Sequence, residues 1–422
     1  MVTPKLRFKE FNEDWSKSSI LELSKEKDLN NGVFNDQNKV GKGYKLINVL
    51  DMYIERDIDE ARLSLLDLDA KEFERNKVKF GDIFFTRSSL VKEGIAFSNV
   101  YLGHSNDVTY DGHLIKLSPD LERIDPLFLN FSLKTANVRK QLIQGGKTAT
   151  MTTIGQKEIG SCQLDIPSKE EQTKIASFLL AVDEKISLLT RKHELLIQYK
   201  HGMMQKLFSQ KIRFKADDGS EFGEWENKPL KDFIINHVGG ASLTPNDFVS
   251  ESEYEVIPKK AITFNGKLSL DENRPTYCTK SFFEENLKNT VNKDYLITVL
   301  RDLVPSGPSI GYIVQFQSSK TYILAQGVYG FQITLNLNKD FLIHFSNTKQ
   351  YRLVMKSIMV GSTQVHIRNQ DFFGIEIPVP PLEEQTKIAN FLSAIDQKIE
   401  VVAKQIEQAK QWKKGLLQQM FV

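Results

Sequence analysis

The chain has 422 residues, room for two to four domains of ordinary size, and its 40% hydrophobic and 26% charged content excludes a disordered protein. Lys and Arg number 56 against 54 Asp and Glu, a net charge of +2, which excludes a polybasic, histone-like binder but leaves room for a local basic groove. Two cysteines, Cys162 and Cys278, exclude a disulfide framework and a Cys-rich zinc site, and fit a reduced, cytoplasmic protein.

The N-terminal stretch MVTPKLRFKEFNEDW is charged throughout, so no signal peptide is expected, and no run approaches the roughly 18 apolar residues of a membrane span. FGDIFFTR (80–87) reads as a short strand, followed by SLVKEGIAFSNV as loop and strand. IDPLFLNFSLKTANVRKQLI (124–143) reads as one amphipathic helix running into the polar loop GGKTATM and the strand-like QLDIP. A long helical segment follows, with no Pro between Lys169 and Phe208. The same series then returns: DYLITVLR, VPSGPSIGYIVQF, GFQITLNL, a helical FLIHFSNTKQYRLVMKSIM (341–359), the loop GSTQVH, IEIPVP, and a second long helix.

The return is an internal repeat. IPSKEEQTKIASFLLAVDEKI (166–186) and VPPLEEQTKIANFLSAIDQKI (379–399) match at a constant shift of 213 residues, and LRFKEFNEDW (6–15) echoes IRFKADDGSEFGEW (212–225). A period this long is a duplicated two-part unit, not a solenoid. The expected plan is α+β: mixed segments 1–165 and 212–378, each followed by a helical segment, 166–211 and 379–422.

In the first helix Ile175, Leu179, Val182, Ile186 and Leu189 form a 4-3-4-3 seam that continues through Leu196, Tyr199, Met203 and Leu207, and in the second Ile388, Leu392, Ile395, Ile399 and Val402 repeat it. His193 falls on the seam and reads as a packed histidine. A helix of about 40 residues is about 60 Å long and needs a partner, so the two are expected to pair antiparallel. Ser168 and Glu171 form a possible capping box.

The chain carries no convincing catalytic constellation. GGKT lacks the upstream glycine of a phosphate-binding loop, since position 141 is Gln. GPSIG (307–311) matches the letters of a nucleophile elbow around Ser309, but a strand-like segment follows where a helix is required. Seven histidines show no ligand spacing, and no metal site is expected. This absence points to recognition or scaffolding.

The motif [IV]-P-x-x-E-E-Q-x-K-I-A-x-F-L-x-x-[IV]-D-x-K-I, closing each of two similar halves, resembles the specificity subunit of type I restriction-modification systems. The resemblance implies two target recognition domains, each reading one half of a split, asymmetric DNA sequence. It implies an antiparallel coiled-coil spacer that docks two modification (methyltransferase) subunits and, through them, restriction subunits. S-adenosylmethionine, ATP and Mg would sit on those partners, and this chain would be non-catalytic. The competing expectation is a coiled-coil adaptor that binds only proteins.

Candidate DNA-contacting residues lie in two places in each half. Arg87, Ser88 and Lys92 follow a strand, as do Arg301 and Ser306. Lys147, Thr148 and Thr150 lie in the first glycine loop, and Ser362, Thr363, Gln364, His366 and Arg368 in and just after the second. Arg, Gln, Ser and Thr can read base edges, while Lys mostly meets phosphate.

Overall fold

The computed structural model describes residues 3–54, 56–263, 266–271 and 273–421. The chain forms two units, Met1–Arg191 with Ala403–Val422, and Lys192–Val402. Each long helix, Lys169–Phe208 and Leu382–Gln419, therefore contributes to both.

In the first unit, four short strands form an antiparallel sheet in the order Asn30–Asn31, Leu114–Leu117, Ile83–Thr86, Ser98–Val100. All four residues of Ile83–Thr86 are buried, as expected of a central strand rich in Ile and Phe. A mixed three-stranded sheet, Ser64–Leu66, Val40–Ile47 and Val108–Tyr110, packs a second apolar cluster around Ile47, Tyr101 and Tyr110. Ser16–Ser19 pairs antiparallel with Gln163–Ile166, joining the beginning of the mixed segment to its end.

The second unit repeats this arrangement. Its four-stranded sheet runs Ile234–Gly239, Val328–Ile333, Leu296–Val299, Ile313–Gln315, and Glu226–Pro229 pairs with Glu376–Val379.

The expected single helix at 124–143 is two, Pro126–Leu133 and Ala136–Gly145, and its copy is also two, Lys339–Ser346 and Lys349–Ile358. The breaks fall at Thr135 and Thr348. Each Thr hydroxyl donates back to the preceding turn, to Ser132 O and Phe345 O, at 2.7 Å. Thr348 also caps the next helix by accepting from Tyr351 N. A β-branched residue with a side-chain hydrogen-bonding alternative favours a cap over a helix interior.

The helix seam is buried where each helix meets a mixed segment, and farther along the second helix Val402 is buried as well, at 3% exposed. Ile175, Leu179, Val182 and Ile186 are at most 4% exposed and share the first unit's core with Leu416, Met420 and Phe421 from the end of the second helix. In the second unit Ile388, Leu392 and Ile395 share the core with Met204, Leu207 and Phe208 from the end of the first helix. Within each unit the two helices therefore pack on each other, as expected, and on the mixed segment as well. Leu189, His193 and Ile399 are only half-buried, Tyr199 is 51% exposed, and Met204, rather than Met203, faces the core. The direction is antiparallel in both units: Lys413 pairs with Asp183 in the first at 2.5 Å, and Lys200 with Asp396 in the second at 2.6 Å. The 213-residue shift maps one ion pair onto the other.

Gly32 and Gly240 lie where two backbones close together. A Cβ would stand 2.1 Å from Tyr110 O at the first and 1.9 Å from Ala325 O at the second, and neither carbonyl can swing away like a side-chain end. Gly32→Ala and Gly240→Ala should each cost about 3 kcal/mol, read as a loss of urea stability, whereas Gly202→Ala, with nothing nearby, should not.

Candidate nucleic-acid interface

The repeated E-E-Q motif builds the scaffold that presents the interface. Glu171, almost fully buried, accepts two hydrogen bonds from the Arg7 guanidinium at 2.8 and 2.7 Å. Glu384 does the same for Arg213, at 3.1 and 2.7 Å, and also accepts from Trp225 Nε1 at 3.0 Å. These bidentate pairs tie the start of each mixed segment to the helix that closes it.

The next residue ties the start of each long helix to its mixed segment. Gln172 Oε1 accepts from Asp125 N and its amide donates to Arg123 O and Pro167 O; Gln385 makes the same three contacts with Asn338 N, Asn336 O and Pro380 O. Asp125 and Asn338 in turn cap the helices that begin beside them. Ser168 accepts from Glu171 N at 3.3 Å, so half of the expected capping box forms, while the Glu171 carboxylate goes to Arg7.

On this scaffold the two candidate groups of each half meet. In the first unit Lys147–Thr148, Thr152–Thr153 and Ser88–Ser89 form one small sheet, with Ser88 opposite Thr153 and Thr148 opposite Thr152. Ile154 N donates to Arg87 O, extending the same contact. In the second, Arg301–Asp302 pairs with Val365–His366, placing Arg301 opposite His366. A residue pair 65 positions apart in sequence thus becomes one surface.

Arg87, Lys92, Lys147, Thr148 and Thr150 are exposed and Ser88 is half-buried. Arg301, Ser306, Ser362, Thr363, Gln364 and Arg368 are exposed and His366 is half-buried. Lys147 lies 3.4 Å from Glu158, a pair open to solvent that leaves the ammonium available. The surface is therefore cationic and rich in hydroxyl and amide groups. It suits phosphate contacts and base-edge hydrogen bonds.

Sequence reasoning missed Arg139. Its guanidinium donates to Glu93 O, Ile95 O and Ala96 O at 2.7–2.9 Å and so holds the base of the loop that follows Arg87. Burial pulls its pKa down. Only its place on a helix next to that loop in the fold reveals the role.

Ser309 is not a nucleophile elbow. Its hydroxyl donates to the Asp302 carboxylate at 2.8 Å, and the strand Ile313–Gln315 follows. Among the described residues no three His, Cys, Asp or Glu side chains come together in a way that could hold a metal ion, and no helix is long and apolar enough to cross a membrane.

The family of the type I restriction modification DNA specificity domain matches twice, at residues 12–198 and 223–411. The MjaX specificity subunit of Methanocaldococcus jannaschii is 26% identical over 418 residues, covering 97% of this chain and 93% of the relative. The type I restriction enzyme MjaVIII specificity subunit of the same organism is 25% identical, covering 78% and 76%. The crystal structure of the S subunit of a type I restriction-modification system from M. genitalium superposes with a TM-score of 0.58 at 16% identity, covering 100% of this chain and 99% of that one.

Proposed function

This chain belongs to the type I restriction modification DNA specificity family, as a specificity subunit without catalytic activity of its own, and we propose that each of its mixed segments reads one half of a split, asymmetric DNA target. The segments are 1–165 and 212–378, and the helical segments 166–211 and 379–422 are the spacer between them. Two modification subunits dock on the helices, and restriction subunits join through them. S-adenosylmethionine, ATP and Mg serve chemistry on those partners.

One observation carries the reading. The buried scaffold repeats its Arg–Glu pair and the three contacts of each Gln in both units, while the exposed sheet built on it differs almost residue by residue. Like frames presenting unlike polar surfaces are what two readers of two different half-sites need.

The test is a segment exchange. Residues 1–165 are replaced by the matching segment of a relative with another target, and methylated sites are mapped genome-wide in cells carrying the modification subunits. One half-site should change and the other should stay. A change in both halves, or in neither, would show that the segments are not independent readers.

A further inference from the structure

Each interface carries an apolar tip that the polar reading leaves unused. Leu90 and Val91 are 86% and 61% exposed, and Leu303 and Val304 are 60% and 48% exposed. The 213-residue shift places the two pairs on each other. Around them the sequence differs: Ser88-Ser89 precedes one tip and Arg301-Asp302 the other, and Lys92-Glu93 follows one and Pro305-Ser306 the other.

Both tips are built by the same backbone device. Val91 N donates to Ser89 Oγ at 3.3 Å, and Val304 N donates to Asp302 Oδ1 at 3.1 Å. One turn on, Gly94 N donates to Val91 O at 3.1 Å, and Gly307 N to Val304 O at 2.9 Å. Arg139 holds the base of the first tip through three carbonyls, and the Ser309–Asp302 bond holds the second. Two large apolar side chains are thus held out into water on a preorganised turn, which lowers the entropy lost when they meet a partner.

The partner follows from position. Each tip is continuous with the strand that bears the candidate DNA contacts, Ser88–Ser89 in one unit and Arg301–Asp302 in the other. The role follows from identity. A side chain that reads a base should differ between two readers of different sequences, as the residues around the tips do. Leu and Val do not differ, so their work is independent of sequence.

We propose that Leu90-Val91 and Leu303-Val304 are apolar wedges, each entering the duplex at a base step beside its half-site, partly unstacking it and bending the DNA against the polar sheet. Insertion of Leu-type wedges with local kinking is an established way for a protein to seat DNA without reading it. The proposal rests on the DNA-reading function above.

The test uses the full chain assembled with its modification subunits, and a duplex carrying the target found by methylome mapping, labelled at both ends for energy transfer. L90S/V91S and L303S/V304S should each weaken binding about tenfold and reduce the bend, with half-site sequences and thermal melting unchanged. L90F should keep the bend, because an aromatic ring can also wedge. An unchanged bend and affinity in both double variants would overturn the proposal, as would an unbent wild-type complex. Altered half-site sequences would also overturn it, by making the tips base readers. If the wild-type complex protects no split target at all, DNA reading itself fails, and the wedge with it.

Discussion

Glu384→Ala should unfold the second unit at markedly lower urea, losing about 4 kcal/mol, and Glu171→Ala should cost the first unit about 3 kcal/mol. Removing one partner of a buried ion pair leaves the other short of its hydrogen bonds, a penalty of about 3–5 kcal/mol. Glu384 is fully buried and serves Arg213 and Trp225 together, so its loss strands two donors. Glu171 serves Arg7 alone: Trp15 Nε1, the counterpart of Trp225 Nε1, has no hydrogen-bond partner. Arg7 and Arg213 keep 13% and 21% of their side chains exposed, which lets water relieve part of the loss. Glu384→Gln should fall in between, since the amide oxygen can still accept from Trp225 but cannot form the bidentate charged pair. Equal costs for the two Ala variants would show that the Trp225 bond contributes nothing.

The same residues show what sequence can and cannot reveal. E-E-Q is legible as a motif because it occurs twice, but its work is not, since the partner of Glu171 is Arg7, 164 residues away. Nothing local in the sequence marks that contact. The heptad seam is legible because apolar spacing fixes a helix face, and Ile175, Leu179, Ile388 and Leu392 are buried as that spacing requires. It misplaces Met203 against Met204 because, near the helix end, the buried face is shared between the other long helix and a mixed segment, so it no longer follows a helix-on-helix seam alone. The interface was legible only as two separate loops per half. The strands that join them, such as Ser88–Ser89 and Thr152–Thr153, are two residues long, too short for any alternation to appear. The tips escaped for a different reason: an exposed Leu-Val pair has meaning only once its exposure and its equivalent in the other unit are known.

Acid should destabilise the two units unequally, and His344 is the cause. It is 5% exposed, its Nε2 lies 3.1 Å from Ser393 Oγ, and its Nδ1 is 3.9 Å from Asp396, itself paired with Lys200. Burial first, and then the Lys200 charge, push its pKa down to about 4, against a weaker opposing pull from Asp396. The fold thus holds His344 neutral, while an unfolded chain binds its proton near the ordinary pKa of about 6.5. A depressed folded value means that the stability is complete above about pH 6.5 and is lost as pH falls toward 4, about 3 kcal/mol in all at 1.36 kcal/mol per unit. The first unit has no such group, because the position equivalent to His344 is Phe131, whose ring lies 5.5 Å from the Lys413 ammonium. The sequence of the first unit therefore supplies the control. His344→Phe should leave stability near pH 7.5 within about 1 kcal/mol, since the same lysine can lie over the new ring. At pH 4.5 the variant should be about 2–3 kcal/mol less acid-sensitive than wild type in urea unfolding of the full chain, a difference that cancels the carboxylates common to both. Parallel acid limbs in the two proteins would mean that His344 reaches its proton in the folded state, and that the second unit opens there before it unfolds.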